Sequence, residues 1–135
     1  MATVKSFEDL QCWQNARVLC KEVGLLIDGG VFKRNYRLVH QLEGSSGSIM
    51  DNIAEGFERG SRAEFIVFLG YAKGSCGELR SQLYRSLDRN YINDQQFESF
   101  TVRLKSISGM LQRLIRYLNQ SSVAGIRKKI EPKQP

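Results

Sequence analysis

The chain has 135 residues, 41% of them hydrophobic and 25% charged, and a formal net charge of +6. This length allows one domain with a substantial core, but it excludes a cofactor domain joined to a substrate domain. Only two prolines occur, both within the last four residues, so the preceding sequence can form long uninterrupted helices. We therefore predict an all-α protein.

Neither a leader sequence nor a membrane span is predicted. The first ten residues contain no apolar core of a secretory signal, and no stretch approaches the roughly 20 uncharged apolar residues that a spanning helix requires. Three cysteines, Cys12, Cys20 and Cys76, lack the CxxC spacing of zinc or redox sites, which favours small buried side chains. We expect a cytoplasmic protein without a membrane partner.

The first half of the chain predicts two helices. The first, about residues 7–28, starts at a capping box formed by Ser6 and Asp9 and ends before two glycines. Its apolar stripe, which includes Trp13, is wide enough for two neighbours. The second helix, about 34–56, continues through the small residues 44–48 and ends at Gly56. These small side chains favour close approach of another helix over a flexible linker.

The second half predicts two further helices. Ser61 and Glu64 form the capping box of the third, about 62–89. The fourth, about 94–120, has apolar residues in regular heptad steps from Phe97 to Leu118. Short connections between the helices predict an antiparallel up-down-up-down four-helix bundle over residues 1–120. Residues 121–135 are predicted to form a basic mobile tail.

Three glycines are the most unusual feature of helix three. Gly70, Gly74 and Gly77 gather on one side of it, and each costs about 1 kcal/mol relative to alanine in a helix. Close packing against another helix or another subunit would compensate this cost. We therefore assign these glycines, together with Trp13, to close packing and oligomerisation.

The basic residues are the main candidates for function. Residues 1–60 carry seven basic and eight acidic side chains, whereas residues 61–135 carry thirteen basic and six acidic side chains. On helix three, Arg62, Lys73 and Arg80 share a narrow sector beside the apolar stripe. An excess of this kind favours contact with polyanions, so we predict that nucleic acid binds to these three residues and to a further set: Arg85, Arg89, Arg103, Lys105, Arg113, Arg116, Arg127, Lys128 and Lys129.

Two alternatives to nucleic-acid binding by these cations remain open. Each cation can belong to a solvated face with intrahelical ion pairs. The interleaved aromatic residues Phe57, Tyr71, Tyr84 and Tyr91 suit base stacking, but they suit bundle or subunit contacts equally well. A protein-interaction scaffold without nucleic acid is therefore the alternative function.

Catalytic and metal sites are not expected. His40 is the only histidine, which excludes a di-iron centre of the bundle type, and we predict no metal and no cofactor. Asp51 and Glu55 share a helix face without an implied catalytic partner, and Glu55 is expected either to pair with a basic residue or to satisfy backbone groups at the helix crossing. Arg34 and His40 resemble the Arg-x(4 to 6)-His signature of HEPN ribonucleases, whose histidine and arginine serve RNA cleavage. That pattern arises easily by chance, so the prediction is a non-enzymatic protein.

Longer sequence motifs indicate a family. The run Asn52-Ile-Ala-Glu-Gly-Phe57, followed by Arg59-Gly-Ser61 and by the helix-three pattern through Gly77-Glu-Leu79, resembles the four-helix bundle family of 23S rRNA intervening-sequence proteins. The similarity covers about residues 6–118. It departs at Met50, where the family commonly has proline, so a kink in helix two is expected to be absent or softened.

The resemblance implies partners as well as a fold. It implies a bacterial protein that assembles into a ring-like homo-oligomer, with a pentamer expected, and that has no established enzymatic activity. Related bundles are accessory proteins of the reverse transcriptases of diversity-generating retroelements, so a reverse transcriptase is a possible protein partner. Those relatives resemble nucleic-acid-binding proteins with a basic surface; whether RNA or DNA is bound stays open.

Overall fold

The four predicted helices form one bundle. A computed structural model describes residues 3–120. Each α-helix packs against its neighbours in the sequence, and the first also packs against the fourth, which closes the bundle. The all-α antiparallel bundle is thereby confirmed, and its elements are a 3₁₀ turn (Phe7–Asp9), α1 (Gln11–Asp28), α2 (Tyr36–Glu58), α3 (Arg62–Asp88) and α4 (Asp94–Gln120).

The helix predicted from residue 7 starts later, because its capping motif belongs to a separate turn. The Asp9 carboxylate accepts hydrogen bonds from the backbone N–H groups of Lys5 and Ser6. Both hydrogen bonds lower the pKa of Asp9, and the bond from Lys5 has the larger effect. Leu10 is then extended (φ −78°, ψ 126°), so α1 begins only at Gln11.

Gly56 does not end α2. The helix continues to Glu58, and the chain turns at Gly60, where φ is +85°. A Cβ atom at Gly56 would lie 2.6 Å from the Cβ of Phe68 on α3. Gly56 therefore lies inside the helix because α3 approaches it closely, while Gly60 supplies the left-handed conformation that favours glycine.

Small polar side chains join α2 to α3. The segment 44–48 is helical, as predicted, and its serines rather than its glycines face the neighbouring helix. Two hydroxyl contacts cross between the helices: Ser45 Oγ to Gln82 Oε1 at 2.6 Å and Ser48 Oγ to Ser75 Oγ at 3.0 Å. This polar seam satisfies the buried groups and fixes the register of α2 against α3.

The residue Met50, where a softened or absent kink was expected, lies half-buried within α2, which is one continuous helix. None of the helices within residues 3–120 is long and apolar enough to cross a membrane.

The heptad of α4 supplies much of the core, as its sequence indicates. The fully buried α4 side chains pack with leucines and isoleucines of the other helices into one cluster, and they include Leu104, Ile107, Leu111 and Leu118.

Candidate nucleic-acid interface

The basic sector of α3 lies beside α4. Arg62, Lys73 and Arg80 are all half-buried, as expected for residues on the shoulder of an apolar stripe. Arg62 donates a hydrogen bond from Nη1 to the carbonyl oxygen of Leu118 at 3.3 Å. Lys73 and Arg80 follow Arg62 by about three and five helical turns, so they lie on the same side of α3. The predicted sector is therefore real and borders the groove between α3 and α4.

Two contacts fix the antiparallel register along this groove. The rings of Tyr84 and Phe97 lie 4.7 Å apart near one end, and the bond between Arg62 and Leu118 lies near the other. This register sets Arg80 level with Thr101. The Arg80 Nε and Thr101 Oγ1 atoms are buried and have no hydrogen-bond partner among the described residues. The α4 side of the groove thus offers Arg80 no carboxylate.

The four cations of α4 separate into two groups. Lys105, Arg113 and Arg116 are exposed. Arg103 lies on the opposite edge of α4, where its Nη1 donates to the carboxylate of Glu22 on α1. Arg103 therefore stabilises the contact between α1 and α4, and we remove it from the residues available to a polyanion.

A second basic group lies at the end of the bundle where α3 stops. Arg85 and Arg89 are exposed there, and the turn before α2 brings Lys33, Arg34 and Arg37 to the same end. Sequence reasoning missed the contribution of these last three residues to a basic surface. The sequence does show a basic run close to two glycines. Whether this run lies near Arg89, however, depends on how the two interhelical connections pack.

One acidic face is formed by α2. The solvent side of α2 carries four carboxylates between residues 43 and 58 and no basic residue in that interval. Glu55 pairs with Arg59 at 2.7 Å, as predicted, and Arg59 also lies 3.7 Å from Glu64. The acidic face is formed by Glu43, Asp51, Glu55 and Glu58, while α3 and α4 carry five further carboxylates among their cations.

The four aromatic candidates have different environments. Phe57 is buried in the core and cannot reach a base. Tyr91 is half-buried, whereas Tyr71 and Tyr84 are 56% and 51% exposed. Tyr36, which the sequence analysis did not single out, is the most exposed of the large hydrophobic side chains in residues 3–120, at 72%. The exposed rings that remain candidates for stacking are therefore those of Tyr36, Tyr71 and Tyr84.

The glycine side of α3 is open. Gly70, Gly74 and Gly77 are exposed, and a Cβ atom at each would meet no atom within 4 Å among the described residues. Of the two expected contacts, a helix of the same chain is thereby contradicted, and a subunit contact stays a prediction. Trp13 packs against Phe7 with ring centroids 5.1 Å apart.

The remaining candidates are a histidine, an arginine of the preceding turn, the cysteines and the basic residues near the C-terminus. His40 is exposed on α2, and Arg34 lies in the turn that precedes the helix. No group of three potential metal ligands occurs within residues 3–120. Burial raises the pKa of Cys12 to about 11 and of Cys76 to about 12, so both thiols stay protonated at neutral pH. The basic residues Arg127, Lys128 and Lys129 lie outside the described residues.

Comparison with known proteins places this bundle in a class. The model of the family described as 23S rRNA-intervening sequence protein matches residues 8–113. The chain therefore belongs to the 23S rRNA-intervening sequence protein family, as its motifs indicated.

A solved structure supports the fold. This chain is similar to a crystal structure described as a protein with unknown function from the S23 ribosomal protein family of Bacteroides thetaiotaomicron, with a TM-score of 0.73 and 24% sequence identity. The match covers 78% of this chain and 98% of that chain. A comparison with curated proteins gave no match.

Proposed function

We propose that this chain is a non-enzymatic, self-associating bundle that binds the backbone of RNA or DNA through the surface formed by α3 and α4. The observation that carries the proposal is a set of cations on α3 and α4 that form no ion pair. Lys73, Arg80, Lys105 and Arg116 have no carboxylate within 4.0 Å among the described residues. The carboxylates of α2 lie on another face, so a polyanion can approach α3 and α4 without meeting them.

Binding of this kind is dominated by counterion release. With four phosphate contacts per subunit, the logarithm of affinity for a single strand falls with a slope of about −3 against the logarithm of salt concentration. Raising the salt from about 50 to 200 mM then weakens binding by about 60-fold. An affinity that does not change with salt would contradict the proposal.

The matched experiment compares two double variants with equal loss of charge. Lys105→Ala with Arg116→Ala removes two exposed cations from α4, and Arg17→Ala with Lys21→Ala removes two from the outer face of α1. Fluorescence anisotropy of a labelled oligonucleotide gives the salt slope of each. We expect the slope to become shallower by about 1.4 in the α4 variant and to stay unchanged in the α1 variant. If the two double variants had the same salt slope, binding would depend only on the net charge of the protein and not on where the cations lie.

Self-association is proposed from the open side of α3. The exposed residues Val67 and Tyr71 lie beside the three glycines, so this side presents apolar area together with a smooth backbone. Size-exclusion chromatography with light scattering measures the subunit number, for which the family resemblance suggests five. A monomer at all concentrations would refute this part of the proposal, and a defined oligomer that binds no oligonucleotide would favour the protein scaffold.

Absence of catalysis is also part of the proposal. Arg34 lies in the turn before α2, six positions before His40, and His40 has no hydrogen bond or ion pair within residues 3–120 that would orient it as an acid or base. We expect no cleavage of labelled RNA beyond the buffer control. Cleavage that His40→Ala abolishes would establish the ribonuclease alternative. The three free cysteines agree with a reducing cytoplasm as the place of action.

A further inference from the structure

Two interhelical connections meet at one end of the bundle. Asn35, which precedes α2, donates from Nδ2 to the hydroxyl of Tyr91 at 3.3 Å. The Tyr91 ring also lies 5.5 Å from that of Phe32. Arg85 on α3 donates to Gln41 on α2 at 2.8 Å. These contacts hold the turn before α2 and the end of α3 in one structured surface.

Five cations from the two connections and from the helical turns next to them share this surface, which we call the end cluster: Lys33, Arg34, Arg37, Arg85 and Arg89. Asp28, Asp88 and Asp94 belong to the same end of the bundle. None of these three carboxylates lies within 4.0 Å of a cluster cation in residues 3–120. The positive N-terminus of α2 adds to the potential at this point. The end cluster therefore attracts anions.

Lys33 occupies a conformation that glycine adopts at lower cost. Its φ is +56°, and the neighbouring Gly30, with φ +77°, shows that this turn already uses glycine for one left-handed position. A side chain in this region is strained, and strained residues concentrate at functional sites. The turn therefore keeps a lysine at a position where the backbone conformation favours glycine.

Tyr36 lies among the cations of the end cluster. It is the first residue of α2, it lies between Arg34 and Arg37, and it is 72% exposed. Its ring makes no aromatic or cation–π contact with any residue from 3 to 120. A flat ring without a partner, flanked by cations, suits an unpaired base with its adjacent phosphates, because the ring can stack on the base while the cations contact the phosphates.

We propose that the end cluster binds an unpaired segment of nucleic acid, with Tyr36 stacked on one base and the cluster cations on the flanking phosphates. This inference rests on the proposed function and adds to it a preference for single strands. The groove of α3 and α4 has no comparable ring, because its Tyr84 already packs against Phe97. Discrimination between strands and duplexes therefore arises at the end cluster.

The test uses three labelled probes of about 12 nucleotides: a single strand, a duplex, and a strand of the same phosphates without bases. Tyr36→Ala is expected to weaken binding of the single strand by roughly 5- to 150-fold and to leave binding of the other two probes unchanged. Tyr36→Phe keeps the ring and is expected to bind like the parent chain. Val18→Ala removes another exposed apolar side chain, on α1 and outside both proposed surfaces, and serves as the control.

The charge of the cluster is tested with a second pair of variants. Arg34→Ala with Arg37→Ala is expected to make the salt slope for the single strand shallower by about 1.4, whereas Arg17→Ala with Lys21→Ala leaves it unchanged. Circular dichroism confirms that each variant is folded.

The outcomes separate this inference from the proposed function. If the parent chain binds no probe, both are refuted. If it binds with the expected salt dependence but Tyr36→Ala and the double arginine variant bind like the parent, only the end cluster is refuted. Equal weakening of all three probes by Tyr36→Ala would also overturn the stacking role.

Discussion

Replacing Gly74 by alanine tests whether the glycine side of α3 faces open space within one subunit. A Cβ atom there meets no atom within 4 Å among the described residues, so alanine brings its helix propensity without a clash. The expected gain is about 1 kcal/mol in the free energy of unfolding. For a domain of this size that corresponds to a rise in Tm of about 3 to 5 °C.

Gly56 provides the matched control, because it is also a helical glycine but is covered. A Cβ atom there would lie 2.6 Å from the Cβ of Phe68 and 3.2 Å from Cδ1 of Phe65. Overpacking of this kind costs about 1 to 3 kcal/mol, which exceeds the gain in propensity. Gly56→Ala is therefore expected to destabilise the chain while Gly74→Ala stabilises it.

The assay is urea unfolding followed by far-ultraviolet circular dichroism over a range of protein concentrations. If the glycine side also forms a subunit contact, Gly74→Ala weakens association while it stabilises the subunit. Its stability then rises less steeply with protein concentration than that of the parent. A loss of stability in Gly74→Ala of the same size at every concentration would refute the open surface.

Three further predictions concern single contacts. Asn35→Ala removes the side-chain oxygen that caps the backbone N–H of Leu38, and urea unfolding is expected to show a loss of about 1 kcal/mol. Ser45→Ala leaves the buried Gln82 amide without its hydroxyl partner and is expected to cost about 1 to 3 kcal/mol, whereas adding Gln82→Leu recovers part of that loss in a double-mutant cycle. Because burial raises the pKa of Cys76 to about 12, a thiol reagent is expected to label it only after urea unfolds the chain; rapid labelling of the folded protein would contradict this.

Local sequence signals predicted the elements well where the determining contacts are local. The apolar steps of α4 are buried as expected, and the α3 cap forms, since Ser61 Oγ accepts a hydrogen bond from the backbone N–H of Glu64 at 3.2 Å. The end of α2 was placed wrongly at Gly56. The reason is non-local, because only the crossing of Phe68 on α3 shows why glycine is required inside the helix there.

The bundle, its family and the excess of positive charge can be read from the sequence, because periodicity, capping residues and composition are properties of short segments. Which cations remain available depends on how the helices pack. Helix packing pairs Arg103 with Glu22 across two helices and brings Arg34 to the same end of the bundle as Arg89, which lies more than fifty positions away in the chain. It also left Tyr36 exposed and uncovered. Helical spacing places a side chain on one face of its own helix, but only the packing of helices determines what covers that face.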